Sequence, residues 1–92
     1  MLDKEDLDGV VVATWHAAHY DAVRACLEHD LHVMVEKPMV LTAAHAWDLV
    51  ERAREKDLEL MVGTTFQFTS HARRAREIVQ SGGIGDLLYV SG

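Results

Sequence analysis

The chain has 92 residues, 49% of them hydrophobic, and its 15 acidic against 9 basic side chains give a net charge of −6 at pH 7. This length allows one small domain at most, and the composition excludes an intrinsically disordered chain. The negative charge argues against binding to nucleic-acid phosphates, and no run of residues approaches the ~18 apolar residues of a membrane span.

The first predicted strand is a β-branched run, residues 10–14, entered through Asp8-Gly9. A continuous run of this kind is typical of a strand buried on both faces of a parallel sheet. A helix follows, and its apolar positions at helical spacing are Ala18, Ala22, Ala25, Cys26 and His29. The single cysteine, Cys26, cannot form an internal disulfide, and this pattern predicts a buried structural thiol.

The second and third predicted strands cover residues 31–35 and 58–63. Between them, Thr42 is the predicted N-cap of a second helix. The apolar stripe of that helix is expected to place Trp47 in the core, together with Ala43, Val50 and Ala53-Arg54. Both helices end without the usual glycine, and the left-handed residue expected at each end is an aspartate, Asp30 or Asp57.

Along the third strand, the expected alternation puts Leu60 and Val62 on one face and Met61 on the other. Ser70 is the predicted cap of a third helix that runs through Gln80 and buries Ala72, Ala75, Ile78 and Val79. The helix is then ended by Gly82-Gly83-Ile84-Gly85, and a fourth strand is predicted to begin over residues 87–90.

Strands that alternate with helices predict parallel βαβ units with right-handed crossovers. The predicted fold class is therefore α/β, a partial Rossmann-like parallel sheet with flanking helices. The sequence contains no Gly-x-Gly-x-x-Gly motif. Gly82, Gly83 and Gly85 follow a predicted helix instead of a strand, so they do not form a phosphate-binding loop of that kind.

The second strand ends at Glu36-Lys37-Pro38, which places an acid, an amine and a proline where a buried strand reaches the surface. Ligands of open α/β sheets bind just beyond the carboxyl ends of the strands, so this charged pair is a candidate functional site. Pro38 stops the strand and restricts the backbone of Lys37. The alternative is an ordinary strand end with solvated charges.

Five segments in a fixed order resemble the Gfo/Idh/MocA family of NAD(P)-dependent oxidoreductases. They are the run from Asp8 to Thr14, His19, the run from His32 to Pro38, the Gly63-Thr64-Thr65-Phe66-Gln67-Phe68 motif, and Gly83-Ile84-Gly85-Asp86-Leu87. The resemblance implies that residues 1–64 are the C-terminal half of a dinucleotide-binding domain and that residues 65–92 begin the substrate domain. It also implies a phosphate loop and an acid/base histidine that lie outside these 92 residues.

The same resemblance implies the roles of individual residues. Lys37 is the implied catalytic residue, which contacts the nicotinamide and the reacting hydroxyl, and the Lys37-Pro38 peptide is expected to be cis. The implied cofactor contacts are Thr14, Trp15, His16, His19, Glu36, Lys37 and Gln67. Trp15 stands where the family usually has proline, and Gln67 stands where it usually has arginine.

His16 and His19 are three residues apart at the start of a predicted helix. Two helical histidines can contribute to a zinc site, but no third ligand is evident, so no metal site is expected. His19 is interpreted as a residue that faces the cofactor crevice, and the alternative is a histidine that caps the helix.

The resemblance implies a fragment of an enzyme that transfers a hydride between NAD or NADP and a sugar, cyclitol or related polyol. The full-length protein is expected to be a cytoplasmic homo-oligomer with no nucleic-acid or membrane partner, and the fragment alone is expected to be inactive. Two alternatives stay open. One is a truncated, non-catalytic chain that folds or associates without turnover. The other is an NAD-using glycosidase with the same fold.

Overall fold

The computed structural model describes residue 2 and residues 4–91. Its centre is a three-stranded parallel sheet in the order β1-β2-β3. The strands are β1 (Gly9–Val12), β2 (His32–Glu36) and β3 (Leu60–Gly63). The helices are α1 (His19–Glu28), α2 (Ala43–Glu55) and α3 (Ser70–Gln80), and short 3-10 helices cover His16–Ala18 and Thr65–Phe68. The α/β fold class predicted from the sequence is confirmed.

The register aligns the three strands so that Val12, Val35 and Val62 lie side by side. Because α1 and α2 return the chain between successive strands, all three strands run in one direction. Their carboxyl ends therefore meet at a single edge of the sheet, and the segments that leave β1, β2 and β3 are neighbours.

One face of the sheet carries the core. The buried apolar residues from the sheet and from helices α1 and α2 form a single cluster: Val12, Val23, Cys26, Leu27, Leu31, Val33, Val35, Leu49 and Ala53. The predicted stripe of α1 is corrected, because His29 is exposed and the larger Val23 and Leu27 are buried in its place. Ala22 and Ala25 flank this face and are half-buried.

The opposite face of the sheet is open, so the prediction of a first strand buried on both faces is wrong. Val11 is 67% exposed and Met61 is 59% exposed, and the register places them on either side of Met34. No helix of the described residues covers this row. The alternation predicted for β3 is confirmed, since Leu60 and Val62 pack against the core and Met61 does not.

Helix α2 begins as predicted and buries a different face. The Thr42 hydroxyl oxygen accepts a hydrogen bond from the backbone N–H of His45 at 3.3 Å, which confirms the N-cap. Trp47 is 68% exposed, so its predicted place in the core is wrong, and Leu49 is fully buried in its stead. Of the predicted stripe of α2, only Ala53 is buried.

Helix α3 packs against the 3-10 helix Thr65–Phe68 and buries none of its residues. Its N-cap is Thr69, whose hydroxyl oxygen accepts from Ala72 N–H at 3.3 Å, in place of the predicted Ser70. The burial predicted for α3 is corrected, because Ala72 and Ile78 are half-buried and Ala75 and Val79 are exposed. Residues 87–90 form no strand, since they pair with no strand of the described chain.

The helix ends follow the predicted turn chemistry. Asp30 and Asp57 are left-handed, with φ of 59° and 55°. Helix α3 ends at a turn in which Gly82 is left-handed, with φ of 73°. The Gly82 N–H donates to the Val79 carbonyl, and the Gly83 N–H donates to the Ile78 carbonyl. The Lys56 ammonium at the end of α2 donates to the Leu27 carbonyl at 2.9 Å and to Asp30 Oδ1 at 2.7 Å. None of the described helices is long and apolar enough to span a bilayer.

Candidate functional site

The candidate site lies at the carboxyl edge of the sheet. In each strand the last residue that faces the core is a valine, and these valines, Val12, Val35 and Val62, are aligned by the register. Two residues beyond these valines, the three strands reach Thr14, Lys37 and Thr64. All three are exposed. The register thus brings two hydroxyls and one amine to neighbouring strand ends, where ligands of α/β sheets bind.

The backbone N–H of Lys37 is hydrogen-bonded, whereas its side chain is exposed. The Lys37 N–H donates to Glu36 Oε2 at 3.2 Å, and the Lys37-Pro38 peptide is cis, as expected. Glu36 is half-buried and pairs with Gly63 of β3. A Cβ added at Gly63 would lie 3.5 Å from Glu36 Oε1, so the glycine lets this carboxylate lie close to the neighbouring strand.

His19, the first residue of α1, is fully buried, and its ring lies between two loops. Nδ1 lies 2.8 Å from the Pro38 carbonyl oxygen, and Nε2 lies 3.1 Å from the Thr14 carbonyl oxygen. The ring therefore joins the segment after β1 to the segment after β2. Ala18 is the N-cap of α1 and makes no side-chain cap, so His19 is not a capping histidine.

Trp15 and His16 are exposed on the segment that links β1 to α1. The Trp15 carbonyl accepts from Ala18 N–H at 3.0 Å, which closes the short 3-10 helix. The His16 ring stands edge-on to the His19 ring, with 5.7 Å between the centroids. The described residues contain no group of three or more His, Cys, Asp or Glu side chains placed to hold a metal ion.

Beyond β3, the side chains of Gln67 and Thr64 are joined by a hydrogen bond. Gln67 Nε2 donates to Thr64 Oγ1 at 3.3 Å, while Thr64 N–H donates to the Val62 carbonyl at 2.8 Å. Both side chains are exposed. Thr64 is a candidate site residue that the sequence analysis did not select. Its position directly after the third strand was the available signal.

The shifted pKa values belong to groups on the two core helices. The Arg52 Nε hydrogen bond lowers the pKa of Asp48, the Tyr20 hydroxyl lowers it further, and burial opposes both. The same hydrogen bond raises the pKa of Arg52. Burial raises the pKa of the Cys26 thiol, which keeps it protonated and inert. The Tyr20–Asp48 hydrogen bond links α1 to α2.

A family model described as the oxidoreductase family with an NAD-binding Rossmann fold, Gfo/Idh/MocA, matches residues 1–64. The chain belongs to this family. The match includes β1, β2, β3 and the Lys37 segment, and it ends at Thr64. The resemblance inferred from the sequence is confirmed.

Two relatives of this Gfo/Idh/MocA chain are named for sugar substrates. The chain is 36% identical over 89 residues to a dTDP-3,4-didehydro-2,6-dideoxy-alpha-D-glucose 3-reductase from Saccharopolyspora spinosa, covering 95% of this chain and 26% of that protein. It is 34% identical over 85 residues to a D-xylose 1-dehydrogenase [NADP(+)] from Haloarcula marismortui, covering 92% and 24%. The chain thus spans about a quarter of the length of these relatives.

A solved structure shares the fold. It is an oxidoreductase from Agrobacterium radiobacter in complex with NAD+, L-tartaric acid and magnesium. The TM-score is 0.87 at 23% identity, over 94% of this chain and 25% of that one. At this identity the likeness shows the fold of this Gfo/Idh/MocA chain and leaves its ligand to other arguments.

The strand-end residues have the chemistry that a ribose needs. Thr14, Lys37 and Thr64 offer two hydroxyls and an amine, all of which form hydrogen bonds with hydroxyl groups. A pyrophosphate needs a glycine-rich turn between a strand and a helix N-terminus. Among residue 2 and residues 4–91, the glycine cluster Gly82-Gly83-Ile84-Gly85 follows α3, so it is not such a turn.

Proposed function

We propose that the whole protein to which this chain belongs transfers a hydride between NAD or NADP and a sugar, cyclitol or related polyol. The observation that carries the proposal is the exposed Lys37 beside Thr14 and Thr64 at the carboxyl edge of a sheet matched by an NAD-binding oxidoreductase family. The sugar reductase and the xylose dehydrogenase among the relatives support the substrate class.

In this proposal, Lys37 is the residue that acts on the substrate oxygen. A bound nicotinamide supplies the hydride acceptor or donor. The Lys37 amine contacts the substrate hydroxyl and either stabilises the negative charge that develops on its oxygen or relays the proton that leaves it. Glu36 fixes the backbone of Lys37 through the 3.2 Å hydrogen bond from its N–H.

The proposed contacts with the cofactor are the residues around the strand ends. Six of them are exposed or half-buried and available to a ligand: Thr14, Trp15, His16, Glu36, Lys37 and Gln67. Trp15 offers a broad aromatic surface for stacking. His19 was predicted as a seventh contact, and its ring is fully buried. We also propose that residues 1–64 complete a dinucleotide-binding domain and that residues 65–92 begin the substrate domain. A homo-oligomeric state and a cytoplasmic location stay predictions.

The test of the catalytic role is Lys37→Ala in the whole protein. The substitution should lower kcat and kcat/KM together, by about a hundredfold or more, and weaken the binding of NAD(H) much less, because the amine acts mainly in the transition state. Lys4→Ala is the matched control, since Lys4 is exposed near the N-terminus and far in sequence from the site. An unchanged kcat in Lys37→Ala would exclude the assigned role.

A second test addresses the alternatives to a dehydrogenase. The coding sequence upstream of the Met1 codon should contain, in frame, a strand followed by Gly-x-Gly-x-x-Gly. An intergenic region there would contradict the proposal and favour a chain without turnover. Release of sugar from a glycoside by the whole protein, without net reduction of NAD, would instead identify an NAD-using glycosidase.

A further inference from the structure

The ring of His19 joins the two segments that form the candidate site. It is fully buried, yet neither nitrogen points into an apolar environment. Nδ1 is 2.8 Å from the carbonyl oxygen of Pro38, the residue after Lys37, and Nε2 is 3.1 Å from the carbonyl oxygen of Thr14. These two contacts link residues that are 19 and 5 positions away in the sequence.

The chemistry of imidazole makes the two contacts unequal. A neutral ring carries one N–H and donates to one of the two carbonyls, whereas the imidazolium donates to both. The shorter contact, at 2.8 Å, is the one with Pro38, and a short nitrogen–oxygen distance is typical of an N–H that donates to a carbonyl. A neutral ring is therefore expected to carry its proton on Nδ1 and to donate it to the Pro38 carbonyl.

We propose that His19 is a positioning residue, which holds the Lys37-Pro38 segment against the end of β1 through the hydrogen bond from Nδ1 to the Pro38 carbonyl. It acts through the backbone and touches neither substrate nor cofactor, because no part of the residue is exposed. The effect of His19 on turnover rests on the proposed role of Lys37. The effect of His19 on the conformation of residues 37–39 does not depend on that role.

Two substitutions separate the two hydrogen bonds. In His19→Asn, the side-chain amide nitrogen is as many bonds from Cβ as Nδ1, so the donor to Pro38 is kept and the contact with Thr14 is lost. In His19→Gln, the amide nitrogen matches Nε2 instead, so the donor to Thr14 is kept and the one to Pro38 is lost. Both variants are polar and non-aromatic, which makes each the control for the other. His71→Asn is the surface control, since His71 is exposed on α3.

The first measurement is NMR of the 92-residue chain labelled with 13C and 15N. His19→Gln should shift or split the backbone resonances of residues 37–39, and His19→Asn and His71→Asn should leave them nearly unchanged. If His19→Gln leaves these resonances in place, the inference is wrong, whatever the role of Lys37. If either variant does not fold, the ring 15N shifts of the unsubstituted chain decide, because the inference requires a proton on Nδ1.

The second measurement is turnover in the whole protein. His19→Gln should lower kcat by about tenfold or more with little change in the KM for substrate, because displacement of a catalytic group by about 1 Å is costly. His19→Asn should restore most of kcat. Equal losses in the two variants would indicate a role in packing alone and overturn the inference. If Lys37→Ala has no effect on kcat while the NMR result holds, the proposed function fails and the positioning of residues 37–39 stands.

Discussion

At the scale of single residues, Asp48 on α2 has hydrogen-bond partners on both core helices. It accepts from Arg52 Nε at 2.8 Å and from the Tyr20 hydroxyl at 3.0 Å. The Tyr20 ring is stacked on the His45 ring, with 3.9 Å between the two centroids. The guanidinium carbon of Arg24 also lies over the Tyr20 ring, 5.7 Å from its centroid. One carboxylate on α2 thus organises side chains from both helices.

The lowered pKa of Asp48 predicts how the stability of the chain depends on pH. The group is harder to protonate when folded than when unfolded, so its contribution is present above its ordinary pKa of 3.8 and is lost as the pH falls through the folded value. Asp48→Asn should therefore reduce the loss of stability between about pH 5 and pH 2, measured as the urea midpoint. Asp86→Asn is the control, since Asp86 is exposed after α3. Identical pH profiles for Asp48→Asn and the unsubstituted chain would contradict this.

At the scale of elements, features that depend on neighbouring residues were predicted correctly, whereas the buried faces of the helices were not. The Thr42 cap, the left-handed aspartates and the alternation of strands with helices all depend on neighbours in the chain, and all were predicted. The face that a helix buries depends on what lies opposite. In α1 the alanines and the Val23-Leu27 pair are both apolar and adjacent around the helix, so the pattern does not choose between them.

The candidate site shows the same division. Glu36-Lys37-Pro38 was identified from composition at a strand end, because charge and proline are informative there. The alignment of Lys37 with Thr64 depends on strand register, and the bridge from His19 to Pro38 spans 19 residues. Neither has a local signal in the sequence. Trp47 illustrates the converse error, since a large apolar side chain at helical spacing was expected inside and is exposed.

The open face of the sheet predicts self-association of the chain. Val11, Met34 and Met61 form an apolar row, and the outer edge of β1 pairs with no strand of the described residues. Both features favour contact between copies. Val11→Glu should shift the 92-residue chain towards monomer in light scattering. Leu88→Glu, at a residue 93% exposed outside the sheet, makes the same change in charge and should not. A concentration-independent monomer before substitution would rule out this expectation.

At the scale of the whole molecule, the 92-residue chain should not bind NADH at ordinary affinity or transfer a hydride. The nicotinamide end of the proposed site is formed by Thr14, Lys37 and Thr64, but no described glycine turn leads from a strand into a helix N-terminus, where a pyrophosphate binds. Titration calorimetry with NADH should show no saturable heat. Micromolar binding by a monomer would show that these residues suffice, and the division of the site across a longer protein would be wrong.

The exposed helix α3 has a practical consequence for mapping the molecule with proteases. Its three arginines, Arg73, Arg74 and Arg76, are all exposed on a helix that buries no residue, whereas Arg24 and Arg52 lie within the network between α1 and α2. Brief trypsin digestion should cut in α3 first, because cleavage needs local unfolding and this helix has the least packing to lose. Mass spectrometry should then detect a resistant product that retains residues 5–64 after removal of the exposed Lys4 end. Early cleavage at Arg24 or Arg52 would instead mean that the proposed domain boundary does not separate units of different stability.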